Sequence, residues 1–294
     1  MSEHCGVIGI HSLEKKNIVP MLLEGLKALQ HRGQESWGIA VPSHQPYKRM
    51  GIVSLIDEEE TLREIVGLSG NVGVGHVRYT TTSKSVLENA HPLEIGKSNR
   101  FYVCHNGTLD RELLIYRLKK EESSQNRSMT DTELLGLSLH HNLEKGLNWA
   151  EAFETLNPDL NGSFSIIILT DKGELVAARD DRGFRPLCLG WHEETGSYII
   201  ASESCALDHL GARLIRDVQP GEVLKVDENG LEEQQFSTLN RHAHCAFEYT
   251  YFAHPSSYME GVSVYRVRKN IGIQLAEKYP IDGDVVPSRD STLP

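Results

Sequence analysis

The sequence lacks a long hydrophobic run, an excess of basic residues and a cysteine framework. No apolar run approaches the roughly 20 residues of a membrane-spanning helix, so we expect no membrane partner. The 30 lysines and arginines are outnumbered by 41 aspartates and glutamates, and the net charge of −11 argues against a nucleic-acid partner. The five cysteines include no CxxC pair, which predicts reduced thiols rather than disulfides or a zinc knuckle.

The N-terminus also lacks the basic start and the apolar stretch of a secretory signal, so we expect a cytoplasmic protein. A chain of 294 residues has room for about two domains. Near residue 240 the sequence becomes aromatic and turn-rich, and only about 50 residues follow, too few for a self-sufficient domain. We therefore expect a boundary there and a chain that is cut short or ends in a partial domain. Its residues after about 246 are expected to be loosely held.

Short apolar segments rich in β-branched residues predict a sheet protein with few helices. The first, CGVIGI, begins as a buried strand at Cys5. Further strands are predicted at 37–41, 72–79, 101–105, 164–169, 175–178, 198–201 and 222–226. Helices are predicted over 17–30, after capping boxes that begin at Thr130 and Asn148, and over 264–275. We expect the helices to cover the faces of the sheets.

Cys5 is the first candidate catalytic residue. If MSEH is removed, the thiol gains its own α-amine as a base. An α-amino group titrates near 7.7–8.0 in peptides, against about 10.4 for lysine, so a useful fraction is unprotonated at neutral pH. The plainer interpretation is a buried cysteine of a strand, because free cysteine is among the most buried residue types.

Three further patterns also have two interpretations each. Asn106-Gly107 at a strand end is typical of a tight turn, and it also offers two donors for an oxyanion. Arg78 is an edge-strand arginine or a fork for a carboxylate, supplemented by the threonines that follow it. Asp131 compensates a helix dipole or binds an ammonium group. Together these groups describe a site for a free amino acid with a side-chain amide, and glutamine fits.

At these residues the chain resembles the class II glutamine amidotransferases of the N-terminal-nucleophile hydrolase superfamily, and within them the amidophosphoribosyltransferase family. The resemblance covers nearly the whole chain and its motifs occur in the same order. They are CGVIGI (5–10), HRGQESWG (31–38), GHVRYTTTS (75–83), ENAHPL (88–93), HNG (105–107), TDTE (130–133), GSFS (162–165), DDRGFRPLCLG (180–190), ASESCALDHLGA (201–212), RDVQPGE (216–222) and FEYTYFAHPSS (247–257).

The resemblance implies a role for each candidate. Cys5 is the nucleophile after removal of a propeptide of residues 1–4, and Asn106 with Gly107 forms the oxyanion hole. Arg78 and Thr81 bind the α-carboxylate of glutamine, and Asp131 binds the α-ammonium group. The implied glutamine-binding residues are therefore Arg32, Gly33, Arg78, Thr81 and Asp131.

The resemblance also implies a fold and a reaction. Residues 5–240 form a four-layer αββα sandwich of two antiparallel sheets, and residues 246–294 form part of a phosphoribosyltransferase-type α/β domain. Glutamine hydrolysis supplies ammonia to phosphoribosyl pyrophosphate, giving 5-phosphoribosylamine in the first step of purine synthesis. This chain supplies the glutaminase half, as a homo-oligomer or with a helper chain.

Metal sites and departures from the family pattern complete the expectations. The full transferase uses Mg²⁺, for which Ser291 is a candidate ligand, and Cys245 matches a position that ligates a [4Fe–4S] cluster in some relatives. Arg289 replaces an expected proline, the acidic phosphoribosyl pyrophosphate loop is absent, and His91 stands where relatives often carry glutamine. His91 is outside the residues assigned to chemistry, so that change is tolerable. The replaced proline and the missing loop motivate the alternative of a catalytically idle paralogue that binds a partner or has a regulatory role.

Overall fold

The computed structural model of the protein describes residues 5–54, 59–79, 86–120, 129–238 and 242–280. The helices in these ranges are α1 Val19–Ala28, α2 Glu59–Ile65, α3 Arg111–Lys120, α4 Asp131–Glu144, α5 Trp149–Leu156, α6 Ser204–His209 and α7 Val264–Lys278. Within the same ranges, no helix combines the length and the apolar character that crossing a membrane requires.

The described strands form two large antiparallel sheets and one short hairpin. The first sheet contains β1 Gly6–Ser12, β2 Ser36–Ala40, β3 Tyr47–Met50, β4 Val72–Arg78, β9 Cys188–His192, β10 Ser197–Ala201 and β11 Arg213–Asp217. The second contains β5 Leu93–Ile95, β6 Phe101–Leu109, β7 Gly162–Thr170, β8 Leu175–Arg179, β12 Glu222–Asp227 and β13 Gly230–Gln235. The hairpin pairs β14 Tyr258–Met259 with β15 Val262–Ser263.

Strand β1 lies in the middle of the first sheet, paired with β4 on one side and β10 on the other. Its residues alternate between two buried faces, as the two-residue period of a strand requires. Ile8 and Ile10 pack toward α1, whereas Val7 packs toward the second sheet. Because both faces are covered, Val7, Ile8 and Ile10 are all apolar, which explains why the sequence signal was strong.

Three apolar cores separate four layers. Helices α1 and α6 cover the outer face of the first sheet, with Leu22 and Leu207 in the shared core. Val74 and Ile167 belong to the core between the two sheets. Helices α3, α4 and α5 cover the outer face of the second sheet, where Phe153 stacks on Phe164 at a centroid distance of 6.0 Å. The expected αββα sandwich is confirmed.

Most of the elements predicted from the sequence are present. Each predicted strand overlaps an observed one, and both capping boxes are formed, at Thr130 and at Asn148. The pattern missed short or less apolar elements, among them β3, β11 and α3.

The tight turn considered for Asn106-Gly107 is wrong. Both residues lie inside β6, where Asn106 pairs with Ser165 and Gly107 with Phe164 of β7. A side chain at Gly107 would place its Cβ 2.0 Å from the carbonyl oxygen of Ser163. Glycine therefore permits the close approach of two strands here instead of a chain reversal.

The expectation of a loosely held end is wrong for the residues before α7. Glu248, Ala253, Ser257 and Met259 are all buried against the rest of the protein or within this segment. Helix α7 itself is mostly exposed, and Val264 is its buried residue. The predicted boundary near 240 falls at residues 239–241, which lie outside the described ranges, so it stays a prediction.

Candidate active site

Cys5 lies immediately before β1 and is buried. Its backbone nitrogen donates to Asn106 Oδ1 at 3.1 Å, and its thiol donates to the carbonyl oxygen of Tyr79, with 3.7 Å between Sγ and O. Its carbonyl oxygen accepts a hydrogen bond from Arg32 Nε at 2.9 Å. The nitrogen, the side chain and the carbonyl group of Cys5 are thus each held by a different part of the fold.

The Asn106 side chain is oriented by its contact with Cys5. Because Oδ1 accepts from the Cys5 nitrogen, the amide nitrogen Nδ2 points elsewhere, and it is buried without a hydrogen-bond partner among the described residues. Leaving a buried donor unpaired costs about 1–3 kcal/mol, so such groups call for an explanation. A ligand that accepts from Nδ2 beside Cys5 supplies one.

Arg78 and Asp131 lie at the ends of elements that reach the same region. Arg78 is the last residue of β4, just before the Tyr79 carbonyl that contacts Cys5, and its Nη1 lies 3.1 Å from Glu35 Oε1. Asp131 begins α4 and accepts from the backbone nitrogen of Leu109 at 3.0 Å, at the end of β6. The helix-start role of Asp131 is therefore present, and binding of glutamine by either residue stays a prediction.

Arg32 and Gly33 follow α1 in a short turn and pack against the start of β1 and the end of β4. The fully buried guanidinium of Arg32 makes hydrogen bonds to the Cys5 carbonyl, to Glu203 and to Glu248. A Cβ at Gly33 would lie 2.5 Å from the backbone nitrogen of Arg78. The hydrogen bonds of Arg32 thus go to protein groups, one of which belongs to the candidate nucleophile.

Glu203 and Glu248 were not singled out from the sequence, where they are two of many glutamates. Glu203 is fully buried and accepts hydrogen bonds from Arg32, from His31 Nε2 at 2.8 Å and from Ser257 Oγ at 2.7 Å. Burial opposes its charge, but Arg32 and His31 outweigh burial and hold the pKa of Glu203 well below its usual range. Both glutamates lie in family-like segments, yet only the fold shows that they meet at Arg32.

The cysteines of the chain do not gather around Cys245. A [4Fe–4S] cluster needs four thiolate ligands in most proteins. Cys104 lies in the core between the sheets, Cys188 and Cys205 lie in the core beneath α1, and Cys5 contacts Tyr79. The other cysteines of this chain therefore do not supply the further ligands, and a cluster at Cys245 stays a prediction. Thr81 and Ser291 lie outside the described residues.

Another set of potential metal ligands is already satisfied. Ligand atoms of His31, Glu203 and Cys205 lie within 4.8 Å of one another. The Glu203 oxygen that His31 contacts is also the oxygen that binds Arg32. A cation placed here would compete with the guanidinium, so the arrangement favours an ion pair over a metal site.

Three histidines are buried beside Asn106, and the sequence did not single out His76 or His105. The ring centroids of His76 and His91 are 4.3 Å apart, and the backbone nitrogen of His105 donates to His91 Nδ1 at 3.3 Å. Burial lowers the pKa of His76 to about 3, and it also lowers the pKa of His91 and of His105. The cluster is therefore neutral at physiological pH.

Comparisons with known proteins show what the chain is similar to. Residues 76–209 match the family described as "Glutamine amidotransferase domain". The chain is 36% identical to the amidophosphoribosyltransferase of Methanocaldococcus jannaschii over 98% of its length and 64% of the relative. It is 39% identical to that of Archaeoglobus fulgidus, covering 96% of this chain and 61% of the relative.

The chain is therefore similar to glutamine amidotransferases over the part that contains Arg78, Asn106 and Asp131. A solved structure of similar fold is the glutamine phosphoribosylpyrophosphate amidotransferase from B. subtilis complexed with ADP and GMP. It matches with a TM-score of 0.82 at 31% identity, over 95% of this chain and 59% of that one. The chain spans about three fifths of the length of the curated relatives just described.

Gly33→Ala is expected to destabilise the end of β4, because the new Cβ meets backbone rather than a flexible side chain. We expect the free energy of unfolding to fall by about 1–3 kcal/mol, measured by chemical denaturation. The control is Gly67→Ala, since a Cβ at Gly67 meets nothing within 4 Å. Equal losses in both variants would contradict the proposed crowding at Arg78.

His91→Gln is expected to reduce the loss of stability in acid. The folded-state pKa of His91 lies below the ordinary value of 6.5, so the unfolded chain binds more protons as the pH falls below that value. Stability is therefore full above about pH 6.5 and falls at lower pH, by up to about 1.4 kcal/mol per pH unit for each such histidine.

The measurement for His91→Gln is the free energy of unfolding between pH 7 and pH 4. His44→Gln is the control, because His44 follows β2 and lies outside the buried histidine cluster. We expect the control to keep the pH dependence of the wild type. Unchanged pH dependence in His91→Gln would show that this histidine does not contribute.

Proposed function

We propose that this chain hydrolyses the side-chain amide of glutamine, with Cys5 as the nucleophile. The observation that carries the proposal is the Asn106 amide, whose oxygen binds the Cys5 nitrogen while its buried nitrogen has no partner among the described residues. A donor fixed beside a nucleophile is suited to an oxyanion that forms during attack. The match of residues 76–209 to a glutamine amidotransferase domain supports amide chemistry at this site.

In the proposed reaction, removal of residues 1–4 turns the Cys5 nitrogen into a free α-amine. The amine takes the thiol proton, and Sγ attacks the amide carbon of glutamine. Asn106 Nδ2 and the Gly107 N–H donate to the oxyanion of the tetrahedral intermediate. The ammonium group returns its proton to the leaving nitrogen, which departs as ammonia and leaves a thioester. Water, deprotonated by the same amine, then releases glutamate and restores the thiol.

The parts of glutamine that do not react are proposed to bind at the ends of β4 and β6. Arg78 with Thr81 binds the α-carboxylate, and Asp131 binds the α-ammonium group. A guanidinium fork suits a carboxylate, and the side chain of Asp131 offers a carboxylate to an ammonium group. In this scheme Arg32 and Gly33 support the site by holding Cys5 and the end of β4.

The acceptor is proposed to be phosphoribosyl pyrophosphate, which the similarity to amidophosphoribosyltransferases supports. Mg²⁺ would accompany that substrate, with Ser291 as a candidate ligand, whereas the steps proposed for Cys5 need no metal. The similarity does not favour the idle paralogue. Release of pyrophosphate by this chain alone, dependent on glutamine, would contradict its assignment to the glutaminase half. A cytoplasmic location and a homo-oligomer or helper chain stay predictions.

Cys5→Ala is expected to abolish release of glutamate and ammonia from glutamine, because it removes the nucleophile. The control is Cys188→Ala, which removes a buried thiol from the core beneath α1. Kinetics should show that Cys188→Ala is active, and chemical denaturation should show that both variants are folded. The intact mass of active wild-type protein is expected to lack residues 1–4. Activity of Cys5→Ala near that of the wild type would show that another residue is the nucleophile.

Substitutions of the residues proposed to contact glutamine should affect kcat and KM differently. Asn106→Ala is expected to lower kcat by about 10²–10³, because its donor acts on charge that appears in the intermediate. Arg78→Gln and Asp131→Asn should instead raise KM by roughly 10–100-fold, the loss of one charged hydrogen bond.

Steady-state glutaminase kinetics measure both constants. Asp110→Asn is the matched control for Asp131→Asn, because Asp110 also accepts backbone hydrogen bonds at a helix start. We expect its KM to equal that of the wild type. An unchanged KM in both Arg78→Gln and Asp131→Asn would contradict the substrate assignment.

A further inference from the structure

Arg32 connects Cys5 to residues 248–257, a stretch named here the clasp segment. We propose that Glu248 and Glu203 are positioning residues that hold the nucleophile through Arg32, so that glutamine hydrolysis depends on docking of the clasp segment. This inference rests on the proposed function. It assigns roles to two glutamates and to a part of the chain that the sequence patterns left without one.

On one side, Arg32 reaches the nucleophile directly. Its Nε donates to the Cys5 carbonyl oxygen at 2.9 Å, and both residues are buried. The other fixed points of Cys5 are Asn106 Oδ1 and the Tyr79 carbonyl. Movement of the guanidinium would therefore release one of the contacts that position Cys5.

On the other side, Arg32 is surrounded by the clasp segment. Glu248 begins a short π-helical turn and accepts from Nη1 at 3.0 Å and from Nη2 at 2.8 Å. The Phe252 ring centroid lies 4.7 Å from Arg32 Cζ. A planar guanidinium with two bonds to one carboxylate and a ring on its face has little freedom to rotate.

Glu203 ties the same guanidinium to the clasp segment a second time. It accepts from Arg32, from the backbone nitrogen of His254 at 2.8 Å and from Ser257 Oγ at 2.7 Å. Glu203 precedes α6 in the sandwich, so the sandwich and the clasp segment share this carboxylate. The position of the clasp segment is thereby coupled to the position of Arg32.

The charges in this cluster decide which variants are informative. One guanidinium faces two buried carboxylates, and removal of Arg32 would take a salt-bridge partner from both of them. Removal of the charge of Glu248 leaves Arg32 paired with Glu203. Glu248→Gln is therefore expected to fold but to weaken the two hydrogen bonds that residue 248 accepts from the guanidinium.

The effect should appear in kcat. A displacement of reacting groups by about 1 Å can cost roughly 100-fold in rate. Arg78 and Asp131, the proposed ligands of the α-groups of glutamine, belong to β4 and α4 rather than to the clasp segment. We expect Glu248→Gln to lower kcat by about 10–100-fold, with KM close to that of the wild type.

The matched control is Glu260→Gln. The carboxylate of Glu260 pairs with Arg179 Nη1 at 2.6 Å. Like Glu248, it joins this end of the chain to the sandwich, but its partner is Arg179 instead of Arg32. Its kcat is expected to equal that of the wild type. Arg32→Lys is a second test: the lysine keeps the buried positive charge but lacks the fork that spans Cys5 and both carboxylates, and kcat should fall.

Alkylation of Cys5 by iodoacetamide, located by peptide mass spectrometry, gives a readout that needs no glutamine. The Cys5 side chain is buried, and we expect loss of the Glu248 contacts with Arg32 to expose it. Alkylation should therefore be faster in Glu248→Gln and should keep the wild-type rate in Glu260→Gln. Three results would overturn the inference. The first is a wild-type kcat in both Glu248→Gln and Arg32→Lys, and the second is an equal fall of kcat in Glu248→Gln and Glu260→Gln. The third is a loss of activity that comes from KM alone. If the wild type fails to hydrolyse glutamine, the proposed function fails, and the alkylation rates still decide whether Glu248 positions Cys5.

Discussion

The face-to-face packing of two sheets is the constraint on which the rest of this structure depends. Cys5 precedes the central strand of the first sheet, and Asn106 belongs to the second. Their hydrogen bond therefore joins the two sheets and depends on their separation. Gly9 contributes to that separation, because a Cβ there would lie 2.7 Å from Leu175 Cδ1 across the interface. The spacing of the core thus decides whether nucleophile and amide meet.

Two clusters of buried polar side chains lie near Cys5, and they compensate for the loss of solvent in different ways. The Arg32 cluster keeps its charges and compensates them with one another. The cluster of His76, His91 and His105 gives up its charge, since burial lowers each pKa. One side of the nucleophile is thus ionic and rigid, while the other is neutral and sensitive to acid.

The sequence predicted the elements whose signals are local. Residues 7–10 of β1 and 166–169 of β7 are apolar because they are buried on both faces. The caps of α4 and α5 consist of residues three positions apart. Cys5, Asn106, Arg78 and Asp131 were selected from motifs, and the fold brings Asn106 and the end of β4 to Cys5.

What the sequence could not reveal depends on contacts between distant residues. Asn106-Gly107 has the local signature of a turn, and only pairing with β7 makes it part of a strand. Glu203 and Glu248 lie 171 and 216 residues from Arg32 along the chain, so no spacing rule connects them. Likewise, the anchoring of residues 248–257 follows from hydrogen bonds to Glu203 and Arg32 rather than from their own apolar pattern.

The single amide group of Asn106 connects two parts of the proposed reaction that are usually treated as separate. Its oxygen accepts from the nitrogen that would serve as the base, and its nitrogen would donate to the oxyanion. When that base takes up a proton, its hydrogen bond to Oδ1 becomes charge-assisted and polarises the amide. Nδ2 then becomes a stronger donor at the step in which negative charge forms on the substrate. Proton transfer and charge stabilisation would thus reinforce each other through one side chain.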